Sequence, residues 1–232
     1  MGDPDRPWDV VLLGATGFTG QLVAEHLLRS HPDLRWAIAG RDPHKLRDVK
    51  MGLVGMDHRA GAIGTQVVEL QDRQAMRSLA AGARVLVTTV GPYSQHGDPV
   101  VDAAVEAGTH YLDVTGEPPF VSGIRRRHSR TARDKGIKVV SCCGFDSIPA
   151  DLGARFTVQQ LHHGPKQVCA YLRVKARPSG GSWASLVESL SGSAPSGKLR
   201  RPRTRPPRLH RAPEEAGGGW ALPLPVIDQS VV

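Results

Sequence analysis

The stretch Asp9-Val10-Val11-Leu12-Leu13-Gly14-Ala15-Thr16-Gly17-Phe18-Thr19-Gly20 decides the fold. Asp9 to Leu13 reads as a strand. It runs into a glycine-spaced turn that opens a helix, expected over Gln21 to Arg29 with Leu22, Val23, Leu27 and Leu28 on one side. Each glycine has a separate job: a tight turn, backbone approach to a phosphate, and close helix–strand packing. Free N–H groups at the helix start, with the helix dipole behind them, suit a pyrophosphate. The spacing is G-x-x-G-x-x-G rather than G-x-G-x-x-G, so the flanking strand and helix carry the inference. Gly14, Thr16, Gly17, Phe18, Thr19 and Gly20 are therefore the first candidate cofactor residues; an ordinary strand–turn–helix is the alternative.

Outward from this turn, strands alternate with helical stretches up to about residue 150. Further strands are expected at Arg35–Ala39, Gln66–Leu70, Arg84–Val90, Thr109–Val114 and Ile137–Ser141. Helices are expected at Pro99–Ala107, where Val100, Val101, Ala104 and Val105 share a face, and at Phe120–Lys135, ended by Gly136. This order predicts βαβ units, right-handed crossovers and an α/β, doubly wound parallel sheet.

Ligands of such sheets sit beyond the carboxyl ends of the strands. Four motifs fall there and are expected to converge. Ala39-Gly40-Arg41 ends the second strand. An arginine at that tip suits a 2′-phosphate, which puts NADP ahead of NAD; a plain surface charge is the alternative, and Asp42 follows. Gly91-Pro92-Tyr93 follows the fourth strand, where a nicotinamide would pass. Tyr93 could stack on the ring or donate a proton, and His96, read with Gly97 as the rest of the loop, could act as a general acid. Asp113, Thr115, Gly116 and Glu117 end the fifth strand, with Glu117 orienting a substrate or ribose, or capping the next helix. Gly144-Phe145-Asp146-Ser147 ends the sixth; Asp146 or Ser147 could cap a helix, and the same groups would face the reacting ring. Catalytic candidates are thus Tyr93, His96 and Asp146. Gly91, Pro92, Tyr93 and Gly144 join Arg41 on the cofactor side.

The 232 residues carry a net charge of +8. Lys198, Arg200, Arg201, Arg203, Arg205, Arg208 and Arg211 supply seven positive charges; the remainder holds 23 basic against 22 acidic residues. That run is interleaved with prolines and lacks aromatics for base stacking, so it reads as a loop rather than a nucleic-acid surface. An anionic or lipid surface is its secondary reading. Three cysteines, none in a C-x-x-C pair, give neither a disulfide framework nor zinc spacing; no metal is expected. Adjacent Cys142 and Cys143 read as a buried thiol beside a less buried one. The polar start and the lack of a long apolar run suggest a cytoplasmic setting.

The stretches GATGFTG (14–20), AGR (39–41), TTVGPY (88–93), AGTHYLDVTGE (107–117) and CGFDSIPADLG (143–153) together resemble the saccharopine dehydrogenase-like oxidoreductase family, including its trans-acting enoyl reductase branch. The resemblance implies an NADP-binding Rossmann domain, residues 1–151, followed by an α+β substrate or dimerisation domain. The second domain, 152–232, is expected to be incomplete because family members are longer. Gln167–Ala176 and Trp183–Leu190 are its visible pieces, with a basic Pro/Arg-rich loop at 194–215. The implied activity is an NADP-dependent reduction of a lipid or polyketide-type acyl chain, with a small-molecule or acyl substrate, a homodimer, and a peripheral lipid surface. A dinucleotide-binding protein without catalysis, lipid-associated or acting as a scaffold, is the alternative.

Overall fold

The computed structural model describes residues 6–161, Gly164 and Val168, and the backbone of His210–Arg211 and Trp220–Ala221. The chain runs β1 (Trp8–Leu13), α1 (Phe18–Ser30), β2 (Trp36–Gly40), α2 (Pro43–Met56), a short 3-10 helix (His58–Ala62), β3 (Gly64–Val67) and α3 (Arg73–Ala81). It continues through β4 (Ala83–Thr88), α4 (Tyr93–Ala107), β5 (His110–Asp113), α5 (Pro118–Asp134), β6 (Val139–Val140) and α6 (Ile148–Gln160). The six strands form one sheet in the order β3-β2-β1-β4-β5-β6, all pairs parallel. This is the doubly wound Rossmann arrangement that the strand–helix alternation predicts. The order reverses between β1 and β4, which puts the switch-point crevice at their carboxyl ends.

β1 shows why its sequence is a continuous apolar run. Val11 and Leu13 enter a core with Met76, Leu86, Val100, Val101 and Tyr111. Leu12 points the other way, to Ala24, Leu28, Ile38, Leu46 and Leu53. The strand is buried on both faces, as parallel strands between helix layers are.

Several boundaries differ from expectation, each for a local reason. β3 starts at Gly64 because Trp8 lies across it: a Cβ there would stand 2.5 Å from the indole ring. A strand opening on glycine carries no propensity signal. β6 stops at Val140 because the next residues turn away to bond Asp113. In α1 the buried residues are Gly20, Ala24 and Leu28, and Leu22 is exposed. α4 begins at Tyr93, six residues before the expected Pro99, so Pro99 lies inside the helix. His96 and Gly97 are therefore helical, not loop residues. The division expected between residues 151 and 152 falls inside α6. Beyond Val168, the expected second-domain pieces and the basic loop lie outside the described residues, apart from the backbone of β7 (His210–Arg211), which pairs antiparallel with β8 (Trp220–Ala221).

Candidate dinucleotide site

The glycine turn separates into packing and non-packing positions. Gly14 has φ +89°, and a Cβ on it would meet Val90 Cγ2 at 2.7 Å and Thr89 Oγ1 at 2.8 Å, at the end of β4. A Cβ on Gly20 would lie 2.2 Å from the Gly14 carbonyl oxygen. Both positions require glycine for the fold itself. Gly17 does not: its φ is −81°, and the nearest atom to an added Cβ is at an ordinary 3.5 Å. Gly17 sits at the N-cap of α1, where no side chain caps the helix and no acid lies in its first turn. Gly17, Phe18 and Thr19 are exposed, and Thr16 is half-buried. An uncapped helix start with a bare backbone in front of it is the cradle a phosphate group fits.

The turn is tied to the end of β2 by Gly14 N–H donating to the Ala39 carbonyl at 2.9 Å. Two residues on, Arg41 is exposed and makes no hydrogen bond or ion pair among the described residues. Asp42 is otherwise engaged. Its Oδ1 accepts from His44 N at 2.9 Å and Lys45 N at 3.1 Å, capping α2. Those amide bonds hold its carboxyl below the usual range. The end of β2 thus offers a free guanidinium and a spent carboxylate, a donor set that fits a 2′-phosphate better than a bare ribose.

Two buried acids join the ends of β4, β5 and β6. Glu117, 4% exposed, accepts from Tyr93 N (2.9 Å) on Oε1 and from Ser94 N (2.8 Å) on Oε2. It caps α4, not the helix that follows it in sequence. The reason is local: α5 opens with Pro118-Pro119, which have no N–H to offer. α4 has no cap of its own, since Pro92 holds its N-cap position. Asp113, fully buried, accepts from Thr115 N (3.0 Å), Cys142 N (2.9 Å) and Ser141 Oγ (2.8 Å). Burial raises its carboxyl pKa against these bonds. Cys142 is held at φ +62°, an unusual region for a residue with a Cβ. Burial pushes its thiol up to about 12 and raises that of the less buried Cys143 as well.

The structure brings the strand-end motifs together. Asp146 spans two of them: its Oδ1 stands 2.7 Å from where a Gly144 Cβ would be, and its Oδ2 3.0 Å from that of Gly116. The residue stays exposed, yet its carboxyl is tucked over the glycine backbones, and this desolvation raises its pKa. Neither Asp146 nor Ser147 caps α6 through its side chain. Tyr93 needs correction. It is 4% exposed, its hydroxyl donates to the Thr88 carbonyl at 3.0 Å and accepts from Val114 N at 3.4 Å, and burial pushes its pKa far up. It braces β4 to β5 and has no free proton to give. His96 is half-buried in the first turn of α4. Gly97 makes room for Phe120, whose ring would meet a Cβ at 2.3 Å, so its glycine serves packing. Gly91 is exposed and Pro92 half-buried beside the crevice. That Glu117 reaches α4 is not legible from local pattern; an acid directly before two prolines is the one signal the sequence carries.

Among the described residues no helix is long and apolar enough to cross a membrane. The sequence profile of the saccharopine dehydrogenase NADP-binding domain matches residues 10–140. A lipid droplet localized protein of Caenorhabditis elegans is 34% identical over 97% of this chain and 58% of its own length. A Mycobacterium tuberculosis protein named as a trans-acting enoyl reductase is 38% identical over 87% of this chain and 48% of its own. The human saccharopine dehydrogenase-like oxidoreductase is 33% identical over 86% of this chain and 50% of its own. The chain thus spans about half the length of the curated relatives it matches. The apo saccharopine dehydrogenase (L-Glu forming) of Saccharomyces cerevisiae shares the fold, with a TM-score of 0.54 at 20% identity over 66% of this chain and 31% of that one. With its parallel sheet, its glycine turn and this match across more than half its length, the chain belongs to the NADP-binding domain family of the saccharopine dehydrogenases, and its cofactor is NADP.

Proposed function

We propose that the chain is the NADPH-holding half of an enoyl reductase-type oxidoreductase that acts on lipid or polyketide-type acyl chains. The observation that carries the cofactor geometry is the uncapped start of α1 behind Gly17, together with the unpaired Arg41. Gly14, Thr16, Gly17, Phe18, Thr19 and Gly20 hold the pyrophosphate at that helix start. Arg41 receives the 2′-phosphate. Gly91 and Pro92 line the nicotinamide half from one side and Gly144 from the other, while Tyr93 serves from beneath by bracing β4 to β5.

When bound, the cofactor supplies a hydride from C4 of its nicotinamide ring. Reduction of a carbon–carbon double bond also needs a proton at the neighbouring carbon. Asp146 and His96 are the two candidates for that proton. Asp146 is favoured by its place over the ends of β5 and β6, and its raised pKa keeps more of it protonated. The acyl substrate is supported by the name of the mycobacterial relative. A lipid surface as the place of work is supported by the name of the nematode relative.

The test is NADPH oxidation followed at its absorbance with an α,β-unsaturated acyl thioester. Turnover that Asp146→Asn removes while NADPH still binds supports this reading. NADPH binding with no turnover on any enoyl thioester supports the second one, a dinucleotide-binding protein without catalysis. That reading is supported by the Tyr93 hydroxyl, which is taken up between the Thr88 carbonyl and Val114 N.

A further inference from the structure

Two helices start at the switch point, α1 after β1 and α4 after β4, and the fold treats them oppositely. α1 is left uncapped. α4 is closed by a buried carboxylate of the protein, with both oxygens of Glu117 engaged at 2.9 and 2.8 Å. A helix start already neutralised by a carboxylate does not attract a second anion. It is also fixed in place: charge-assisted bonds to N–H groups are among the stronger and shorter ones. Glu117 N–H in turn donates to Thr115 Oγ1 at 3.1 Å, and Thr115 N–H donates to Asp113 Oδ1 at 3.0 Å. The chain Asp113–Thr115–Glu117–Tyr93 therefore ties the turn after β4 to the end of β5. Asp146 rests on Gly116, one residue from Glu117.

We propose that Glu117 is a positioning residue for the nicotinamide half of the dinucleotide: by capping α4 from the end of β5, it sets the Gly91–Pro92 turn against which that half lies. The inference rests on the cofactor placement proposed above. Glu117 touches neither cofactor nor substrate; it acts through the backbone of Tyr93 and Ser94. Its effect is therefore confined to one end of the ligand. The adenosine end is held by the glycine turn and Arg41 at the ends of β1 and β2, whereas the Glu117 carboxylate grips the backbone of Tyr93 and Ser94 at the start of α4. A misplacement of about 1 Å in such a wall can cost about a hundredfold in a positioned step.

The experiment compares two probes on the whole chain, NADPH and adenosine 2′,5′-bisphosphate, which lacks the nicotinamide half. Glu117→Ala is expected to weaken NADPH by about tenfold or more, because the Gly91–Pro92 turn, no longer fixed by the capped helix start, must be ordered when the nicotinamide half binds. Binding of the bisphosphate is expected to stay within about twofold, because its contacts are untouched. A merely structural role would move both probes together, so equal loss of both, or loss of neither, overturns the proposal. If Glu117→Ala does not fold, Glu117→Gln carries the test. Its single amide oxygen keeps one of the two bonds, and a smaller loss confined to NADPH is expected; unchanged NADPH affinity overturns the proposal. A wild-type chain that binds neither probe overturns the cofactor placement itself and this inference with it.

Discussion

The carbonyl oxygen of Gly14 lies against the α-carbon of Gly20, so close that a Cβ on Gly20 would stand 2.2 Å from it. The contact welds the start of α1 to the end of β1. Gly17, between them, has no neighbour nearer than 3.5 Å to an added Cβ. The three glycines of one motif thus answer to different demands. Gly20→Ala is expected to destabilise folding by about 1–3 kcal/mol or more, the range for overpacking against backbone. Gly17→Ala is expected to cost under about 1 kcal/mol, as an N-cap exchange. It should nevertheless weaken NADPH about tenfold or more, because its Cβ stands where the phosphate approaches. Thermal melts and NADPH titrations of both variants check this, and a Gly17→Ala protein with native affinity would count against the placement.

Much of this was legible in the sequence. The apolar run Val10–Leu13 and its glycine turn gave β1 and α1, and the alternation that followed gave the sheet and its order of helices. Arg41 stood out as a basic tip after a short apolar strand. What stayed hidden depends on contacts across many residues. Tyr93 reads as a loop aromatic until Thr88 and Val114 claim its hydroxyl. The start of α4 reads as loop because its cap, Glu117, lies 24 positions further on. Gly64 lies ahead of the strand start expected at Gln66, yet it opens β3 with Trp8 lying over it. Local patterns report propensity and periodicity; long-range caps and cross-strand packing leave no local mark.

Arg6 should matter to stability alone. Its guanidinium donates to the Ala83 carbonyl, to Thr109 Oγ1 at 2.6 Å, and to the carbonyls of Ala107 and Gly108 at 3.0 and 3.2 Å. These groups lie at the start of β4 and the end of α4, opposite the crevice. Arg6→Ala is expected to cost about 1.5–3 kcal/mol, the range for hydrogen bonds to a charged group. Chemical denaturation should show that loss, while NADPH affinity should remain at the wild-type value.

Asp113 should give stability a pH dependence. Burial raises its carboxyl above the ordinary 3.8, so the folded chain keeps the proton longer than the unfolded chain. Stability from this group is full below 3.8 and is lost as pH rises through the folded value. Asp113→Asn cannot ionise, yet its amide can still serve Thr115 N, Cys142 N and Ser141 Oγ. The stability of the wild type relative to Asp113→Asn is expected to fall as pH is raised from below 3.8 through the raised folded value. Denaturant midpoints at the two ends measure it; a difference that stays constant or grows would mean that Asp113 is charged throughout. Asp113→Ala, which leaves three donors unmet, is expected to cost about 3–5 kcal/mol.

The central claim is that the ends of β1 and β2 read a 2′-phosphorylated dinucleotide, and parallel titration of NADPH and NADH into the wild type and Arg41→Ala tests it most directly. The account predicts that the wild type prefers NADPH. Arg41→Ala should weaken NADPH by about tenfold to about a thousandfold, while NADH changes little. Equal loss of both dinucleotides, or no loss of either, would contradict it.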